Sequence, residues 1–222
     1  MKPFRRLGDA SAPDGSVLSL FEHDGDYTIR VNGVELMSTR RHRSEDMLAE
    51  LACGPVRTRP GAAVLIGGLG LGFTLNAALH LLPTDAHVVV VEIVEAVIDW
   101  NRNVQYPLAA DALRDPRVEL VHGDVADVLR SRAGGFDAIL LDVDNGADAL
   151  TTAANAALYR AEGIRTAVAA LRPEGVLAYW SANDDRAFAE ALRRAGLTVD
   201  VAMVSAHARG GPRHALILGR RP

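Results

Sequence analysis

Cysteine is nearly absent from this chain: one residue, Cys53, stands among 222. That excludes an internal disulfide framework and a multi-cysteine zinc site, and it fits a reducing compartment. Cys53 itself reads as a small apolar residue buried in a helix. Long apolar runs are missing too. No stretch reaches the ~18 consecutive apolar residues that span a bilayer, and the N-terminal MKPFRRLGDA has charge without an apolar h-region. A cytoplasmic protein with no membrane partner is therefore expected. Positive charge is not gathered into a stripe: the net charge is −4, the pI is near 6.0 and the arginines are scattered. A nucleic-acid footprint is thus not expected. His87, His122, His207 and His214 show no metal-ligand spacing with one another or with Cys53, so no metal site is expected. Internal repeats and low-complexity segments are absent as well.

What is present is rhythm. From residue 61 onward, apolar runs of strand length alternate with amphipathic runs of helix length, the pattern of a parallel sheet covered on both faces. Strands are predicted over Ala63–Ile66, His87–Ile93, Val118–His122, Ala138–Leu141 and Val176–Trp180. Helices are predicted in the runs between and after them, including one continuous run, AVIDWNRNVQYPLAADAL. The last two strand-like runs, TVDVAMVSA and HALILGRR, are joined by a Gly/Pro-rich turn and predict a terminal antiparallel hairpin. The first sixty residues differ. SVLSLFEH, DYTIRVN and VELMST are short strand candidates separated by Asp-Gly and Asn-Gly turns, which predicts a small antiparallel β appendage. A helix over SEDMLAELAC follows, with Ser44 as its expected cap. GPVRTRPG then marks a boundary, giving an appendage with linking helix over 1–57 and an α/β domain over 58–222.

The stretch VLIGGLGLGFT, Val64 to Thr74, closes the first parallel strand with four glycines in six residues. Glycines there let the backbone turn sharply, let a ligand approach the main chain and leave helix N–H groups free. The dinucleotide fingerprint G-x-G-x-x-G fails, because counting from Gly68 the third glycine falls on Phe73. A P-loop is excluded because no Lys-Ser or Lys-Thr follows. Taken alone, the loop could be only a tight turn. Its company argues otherwise. The second strand ends in Glu92, placed to accept both hydroxyl hydrogens of a ribose, and the third in HGD, placing Asp124 within reach of an adenine amino group. The fourth ends in LLDVDN, carrying Asp142, Asp144 and Asn145. In an open α/β sheet these tips line one crevice, so an adenosine-type ligand is expected there.

At these residues the chain resembles the spermidine synthase-like branch of the class I adenosylmethionine-dependent transferases. The resemblance runs over the whole chain and implies a Rossmann-like, mostly parallel seven-stranded sheet with a terminal antiparallel hairpin, preceded by a small antiparallel β appendage. IGGLGLG is similar to the family's glycine loop, VEI to its ribose-binding acid, HGD to its adenine-binding acid, and FDAILLDVDN to the segment with its catalytic aspartate. The resemblance implies that Gly67, Gly68, Gly70, Glu92, Ile93, Asp124, Val125 and Asp142 hold adenosylmethionine or its decarboxylated form as co-substrate. It implies that Asp142 is catalytic, holding and helping to deprotonate an amine that attacks carbon next to a sulfonium.

The departures lie on the acceptor side. Gly70 stands where the family's loop carries an aspartate, Leu69 replaces a glycine, and Asn145 replaces a second acid, with Asp144 beside it. The family's tyrosine and glutamate in the appendage align with Ser44 and Asp46 in RHRSEDM, where Arg40, Arg41 and Arg43 surround His42. His42 and Glu45 are candidates for a substrate lid, and Tyr159 and Trp180 for pocket walls. The expected activity is aminopropyl or methyl transfer to a small amine-type acceptor. A nucleoside-binding regulator without catalysis stays open, and an NAD-dependent oxidoreductase is disfavoured by the broken fingerprint. Edge strands of the appendage would be covered by pairing, so a homodimer is expected.

Overall fold

The computed structural model describes residues 3–143, 153–207 and 210–222. Four strands, β1 (Arg5–Ser11), β2 (Val17–His23), β3 (Asp26–Val31) and β4 (Val34–Ser38), form an antiparallel meander in chain order. Two of its turns are the expected Asp-Gly and Asn-Gly pairs. Asp24 and Gly25 have φ of 53° and 85°, and Asn32 and Gly33 have 49° and 84°, so both central residues are left-handed, as the twist of a tight hairpin requires. Strand β1 was not expected. Only Leu7 and Ala10 of its residues pack against the core, too few for the alternation that betrays a half-buried strand, and pairing with β2 defines it.

The larger sheet contains β5 (Ala63–Gly67), β6 (His87–Glu92), β7 (Val118–His122), β8 (Phe136–Leu141), β9 (Leu171–Ser181), β10 (Thr198–His207) and β11 (Gly210–Arg220). Its order is β10-β11-β9-β8-β5-β6-β7, with β11 antiparallel to both neighbours and the remaining pairings parallel. This is the expected Rossmann-like, class I methyltransferase arrangement. Register explains why the central strands read as continuous apolar runs. Val64, Ile66, Val88, Val90, Ala138 and Leu140 face one core, while Leu65, Val89, Val91, Ile139 and Leu141 face the other. Each Val, Leu or Ile side chain among them taken fully out of water contributes about 1.5–3 kcal/mol.

The first core is roofed by α1 (Arg43–Cys53), α2 (Phe73–Leu81) and α3 (Glu95–Arg102) together with the meander. The second is roofed by α4 (Val125–Ser131), α5 (Ala153–Leu158), α6 (Ala161–Ala170) and α7 (Arg186–Arg194). Cys53 is buried in the first core, as expected. Two sequence expectations change. The run from Ala96 to Leu113 is not one helix: α3 stops at Arg102, Asn103 is extended, and only a 3-10 turn, Ala112–Arg114, resumes. Pro107, lacking an N–H and clashing with the preceding turn, could not sit inside that helix. Ser44 does not cap α1 either. The cap is His42, Ser44 is buried within the first turn, and its hydroxyl donates to Glu45 Oε2 at 2.5 Å.

The strand order reverses beside β5, which pairs β6 on one side and β8 on the other. A crevice at the carboxyl ends of the strands follows from that switch. The meander covers it: Leu18, Leu20, Ile29 and Val31 share a buried cluster with Val94, Val97 and Trp100.

Candidate active site

The crevice is a cleft, partly open to solvent, at the carboxyl ends of the strands where such sheets take a small molecule. Gly68, Gly70, Glu92, Ile93, Asp124, Val125 and Asp142 all line it, so the structure brings together nearly the whole set singled out from the strand tips. Gly67 lies just behind, its carbonyl accepting the Asp142 N–H at 2.9 Å. The meander supplies the opposite wall through Ala12, Leu18, Ile29, Leu36 and Met37.

The loop is held by close backbone packing. Gly68 has φ of +90°, and a Cβ there would sit 2.2 Å from the Asp142 carbonyl oxygen, so no side chain fits. Gly70, at φ +53°, is met instead by Met37, whose Sδ and Cε would be 2.8 Å from a Cβ. The thioether therefore occupies the space beside the loop where the family's carboxylate departs from this sequence. Glu92 is buried and already engaged: Oε2 accepts the Leu69 N–H and Oε1 the Val94 N–H, each at 2.9 Å. Burial pushes its carboxyl up, while these backbone donors pull the other way. Asp124 caps α4 by accepting the Ala126 N–H at 2.8 Å and also faces the cleft.

Two positioning residues escaped the sequence reading. The buried Asn101 amide donates to the Gly70 carbonyl at 2.7 Å and to the Val97 carbonyl at 2.8 Å, tying α3 to the loop. Thr74, in the first turn of α2, donates its hydroxyl to Asp142 Oδ2 at 2.8 Å. Their only sequence signal is helical spacing that turns each toward the loop or the next strand tip.

Asp142 ends β8 half-buried, and enclosure by protein pushes its carboxyl up to about 6, with the Thr74 hydroxyl opposing. Glu45, in the first turn of α1, is pushed up to about 7, first by its own enclosure and next by the charge of Asp142. The two carboxyl groups are thus near enough for the charge of Asp142 to bear on Glu45, and both are held above the ordinary carboxylate range. Glu45 also lines a second cavity, together with Glu35, Arg41, Trp180 and His214. Leu36 and Met37 border both cavities, so the two meet across β4.

The other candidates fall elsewhere. His42 stacks on Phe73 with centroids 4.1 Å apart, and its Nδ1 lies 2.8 Å from Asp46 Oδ2; it is on the wall of neither cavity. Tyr159 packs against Tyr179 and Phe188 in the second core, away from both cavities, so the structure places it in packing and not in a pocket wall. Trp180 does wall the second cavity. Asp144 and Asn145 lie outside the described residues. The positive cluster is largely neutralised: Arg40 pairs with Asp26 at 2.5 Å and Arg41 with Glu35 at 2.9 Å. Among the described residues, no group of three or more His, Cys, Asp or Glu is placed to hold a metal ion, and no helix is long and apolar enough to cross a membrane.

A family model described as the spermine/spermidine synthase domain matches residues 42–186. The chain belongs to the spermine/spermidine synthase family. That match takes in the glycine loop, all the strand tips and Glu45. Among curated relatives, it is 36% identical over 133 residues to putrescine N-methyltransferase 4 of Nicotiana tabacum, covering 60% of this chain and 32% of that protein. It is 31% identical over 150 residues to the polyamine aminopropyltransferase of Leptospira biflexa, covering 67% of this chain and 50% of that protein. The chain thus spans between a third and a half of these relatives' lengths. The spermidine synthase of Thermotoga maritima superposes with a TM-score of 0.74 over 98% of this chain and 73% of its own, at 20% identity. A spermidine synthase in complex with the transition-state analogue AdoDATO gives 0.72 with the same coverage and identity. These superpositions establish the shared spermidine synthase fold, appendage included.

Proposed function

We propose that this member of the family is a transferase that binds adenosylmethionine or its decarboxylated form and moves a methyl or aminopropyl group onto a small amine. The observation that carries this reading is that Gly68, Gly70, Glu92, Asp124 and Asp142 line one cleft, with Glu45 on the wall of the cavity that adjoins it across β4. Gly68, Gly70 and Asp124 would hold the nucleoside with Ile93 and Val125 against the base, and Glu92 would take the ribose while keeping the loop in place. The amine would enter as an ammonium from the second cavity. Asp142 takes its proton, the nitrogen lone pair forms the new bond to the carbon beside the sulfonium, and the carbon–sulfur pair returns to sulfur as a neutral thioether. Alignment and a base near its working pH are what such a displacement needs. Glu45 supplies from α1 the second carboxylate that the glycine loop, with Gly70, does not.

Calorimetry with adenosylmethionine, decarboxylated adenosylmethionine and methylthioadenosine tests the reading. Binding of at least one is expected, and no binding to any would overturn it. The better ligand separates methyl from aminopropyl transfer. A non-catalytic nucleoside-binding role is favoured by one observation, the methionine seated against Gly70 in place of a carboxylate. Group transfer abolished in Asp142→Asn with nucleoside binding retained would reject that role. The meander leaves β1 and β4 as edges, with Val34 exposed on the latter, which supports a homodimer; a monomer in sedimentation at micromolar concentration would contradict it.

A further inference from the structure

A threonine in a helix commonly returns its hydroxyl to the carbonyl four residues back, which for Thr74 is that of Gly70. That carbonyl is already taken by the Asn101 amide at 2.7 Å. Thr74 reaches across to β8 instead, where Oδ2 of Asp142 accepts its hydroxyl at 2.8 Å. The threonine is only 4% exposed, so the bond lies away from bulk water. Asp142 is thereby tied to the glycine segment twice. Its backbone N–H donates to the Gly67 carbonyl before the turn, and its side chain accepts from Thr74 after it.

The other ionisable groups that line the cleft are acids. Glu45 bears on Asp142 from α1, Glu92 and Asp124 stand at the tips of β6 and β7, and no Arg, Lys or His among the described residues lines the cleft. The adjoining cavity adds Glu35, Arg41 and His214. Enclosure among acids favours a proton on Asp142, whereas a donated hydroxyl and the first turn of a nine-residue helix both favour its charge. We propose that Thr74 is a positioning residue for the proton acceptor: its hydroxyl pins Oδ2 of Asp142, favours the ionised carboxylate and leaves Oδ1 to the incoming amine. This rests on the transferase reading and deepens it. Thr74 lines neither cavity, so it acts through Asp142.

The test is a titration of Asp142 in the full chain, labelled with carbon-13 at its aspartate carboxyls and assigned by the signal lost in Asp142→Asn. The wild-type midpoint is expected at about 6. Thr74→Val, which keeps the shape and loses the hydroxyl, should raise it by about one pH unit, a roughly tenfold gain in proton affinity for one lost hydrogen bond to a charged group. Thr74→Ser should return it to the wild-type value. With the protein saturated by methylthioadenosine at pH 6, 1-aminobutane should bind about fivefold weaker to Thr74→Val, following the smaller ionised fraction of Asp142. Methylthioadenosine affinity should be equal in all three proteins. A midpoint unmoved in Thr74→Val, or moved as far in Thr74→Ser, overturns the proposal. If Thr74→Val does not fold, Thr74→Ala carries the same comparison against Thr74→Ser. The midpoint is read without nucleoside, so a wild type that binds none of the three nucleosides removes the transferase reading, while the role of Thr74 is decided separately.

Discussion

Strand β8 carries a carboxylate near each end, and the protein treats them in opposite ways. Asp137, at the amino end, is fully buried and fully answered: Arg59 at 2.5 Å, Arg172 at 2.7 Å and the Ala63 N–H at 2.8 Å. Asp142, at the carboxyl end, accepts from the Thr74 hydroxyl, and among the described residues the ionisable group its charge bears on is another acid, Glu45. The first arrangement fixes a strand. The second leaves a carboxyl group short of partners beside two cavities, which is how a site prepared for a cation or a proton differs from one prepared for stability.

The comparison can be broken most forcefully at Asp142. In Asp142→Asn, group transfer should fall by about 10²–10⁴, the loss expected for a positioned proton acceptor. The fold should not suffer at pH 8, since an ionised carboxylate that resists ionisation is removed; loss of both activity and stability would show Asp142 to be structural. The next largest effect belongs to Asp137. Asp137→Ala should lower unfolding free energy in denaturant by about 3 kcal/mol, at the low end for breaking a buried pair because both arginines reach solvent. Nucleoside affinity should persist in the folded fraction. An unaffected stability would remove the contrast.

Two smaller tests sharpen it. Gly68→Ala should cost more stability and nucleoside affinity than Gly70→Ala, because the first drives a methyl into the Asp142 backbone and the second only into the end of the Met37 side chain. For Gly70→Ala the strain of the left-handed backbone, about 1 kcal/mol, is the expected loss, measured by thermal unfolding. The last effect is one of pH. The folded carboxyls of Asp142 and Glu45, pushed up to about 6 and about 7, lie above their ordinary values of 3.8 and 4.5. The folded state therefore holds protons that the unfolded chain has released, so the pair's stabilising contribution is present below about pH 4 and is lost as pH rises through 6 to 7. Between pH 5 and 8 the wild-type protein should lose stability that the double variant Asp142→Asn, Glu45→Gln keeps, read as a fall in thermal unfolding temperature in the wild type alone.

How much of this was legible in the sequence follows from what each feature depends on. The sheet, its hairpin and the Asp-Gly and Asn-Gly turns are local, written in periodicity and turn chemistry, and they appear where expected. The strand-tip acids converge because a parallel sheet brings its carboxyl ends together whatever the side chains. Strand β1 was hidden because an exposed polar edge has no period to read, and α3 ran too long because the apolar spacing continued past Pro107. The partnership of Glu45 with Asp142, the methionine against Gly70 and the hydroxyl of Thr74 on Asp142 are contacts between distant segments, which no local pattern records. Spacing also drew attention to Tyr159, but only the packed second core shows what surrounds it.

The most direct test of the account is the proton balance of amine binding. With the nucleoside cleft saturated by methylthioadenosine, an acceptor amine titrated at pH 6 in buffers of different ionisation enthalpy should expel about one proton, because an ammonium beside Asp142 and Glu45 lets the pair ionise. The release should shrink in Glu45→Gln to what Asp142 alone gives up. Amine binding with no proton released, or release unchanged by that substitution, would contradict the claim that the two carboxyl groups form the acceptor's seat.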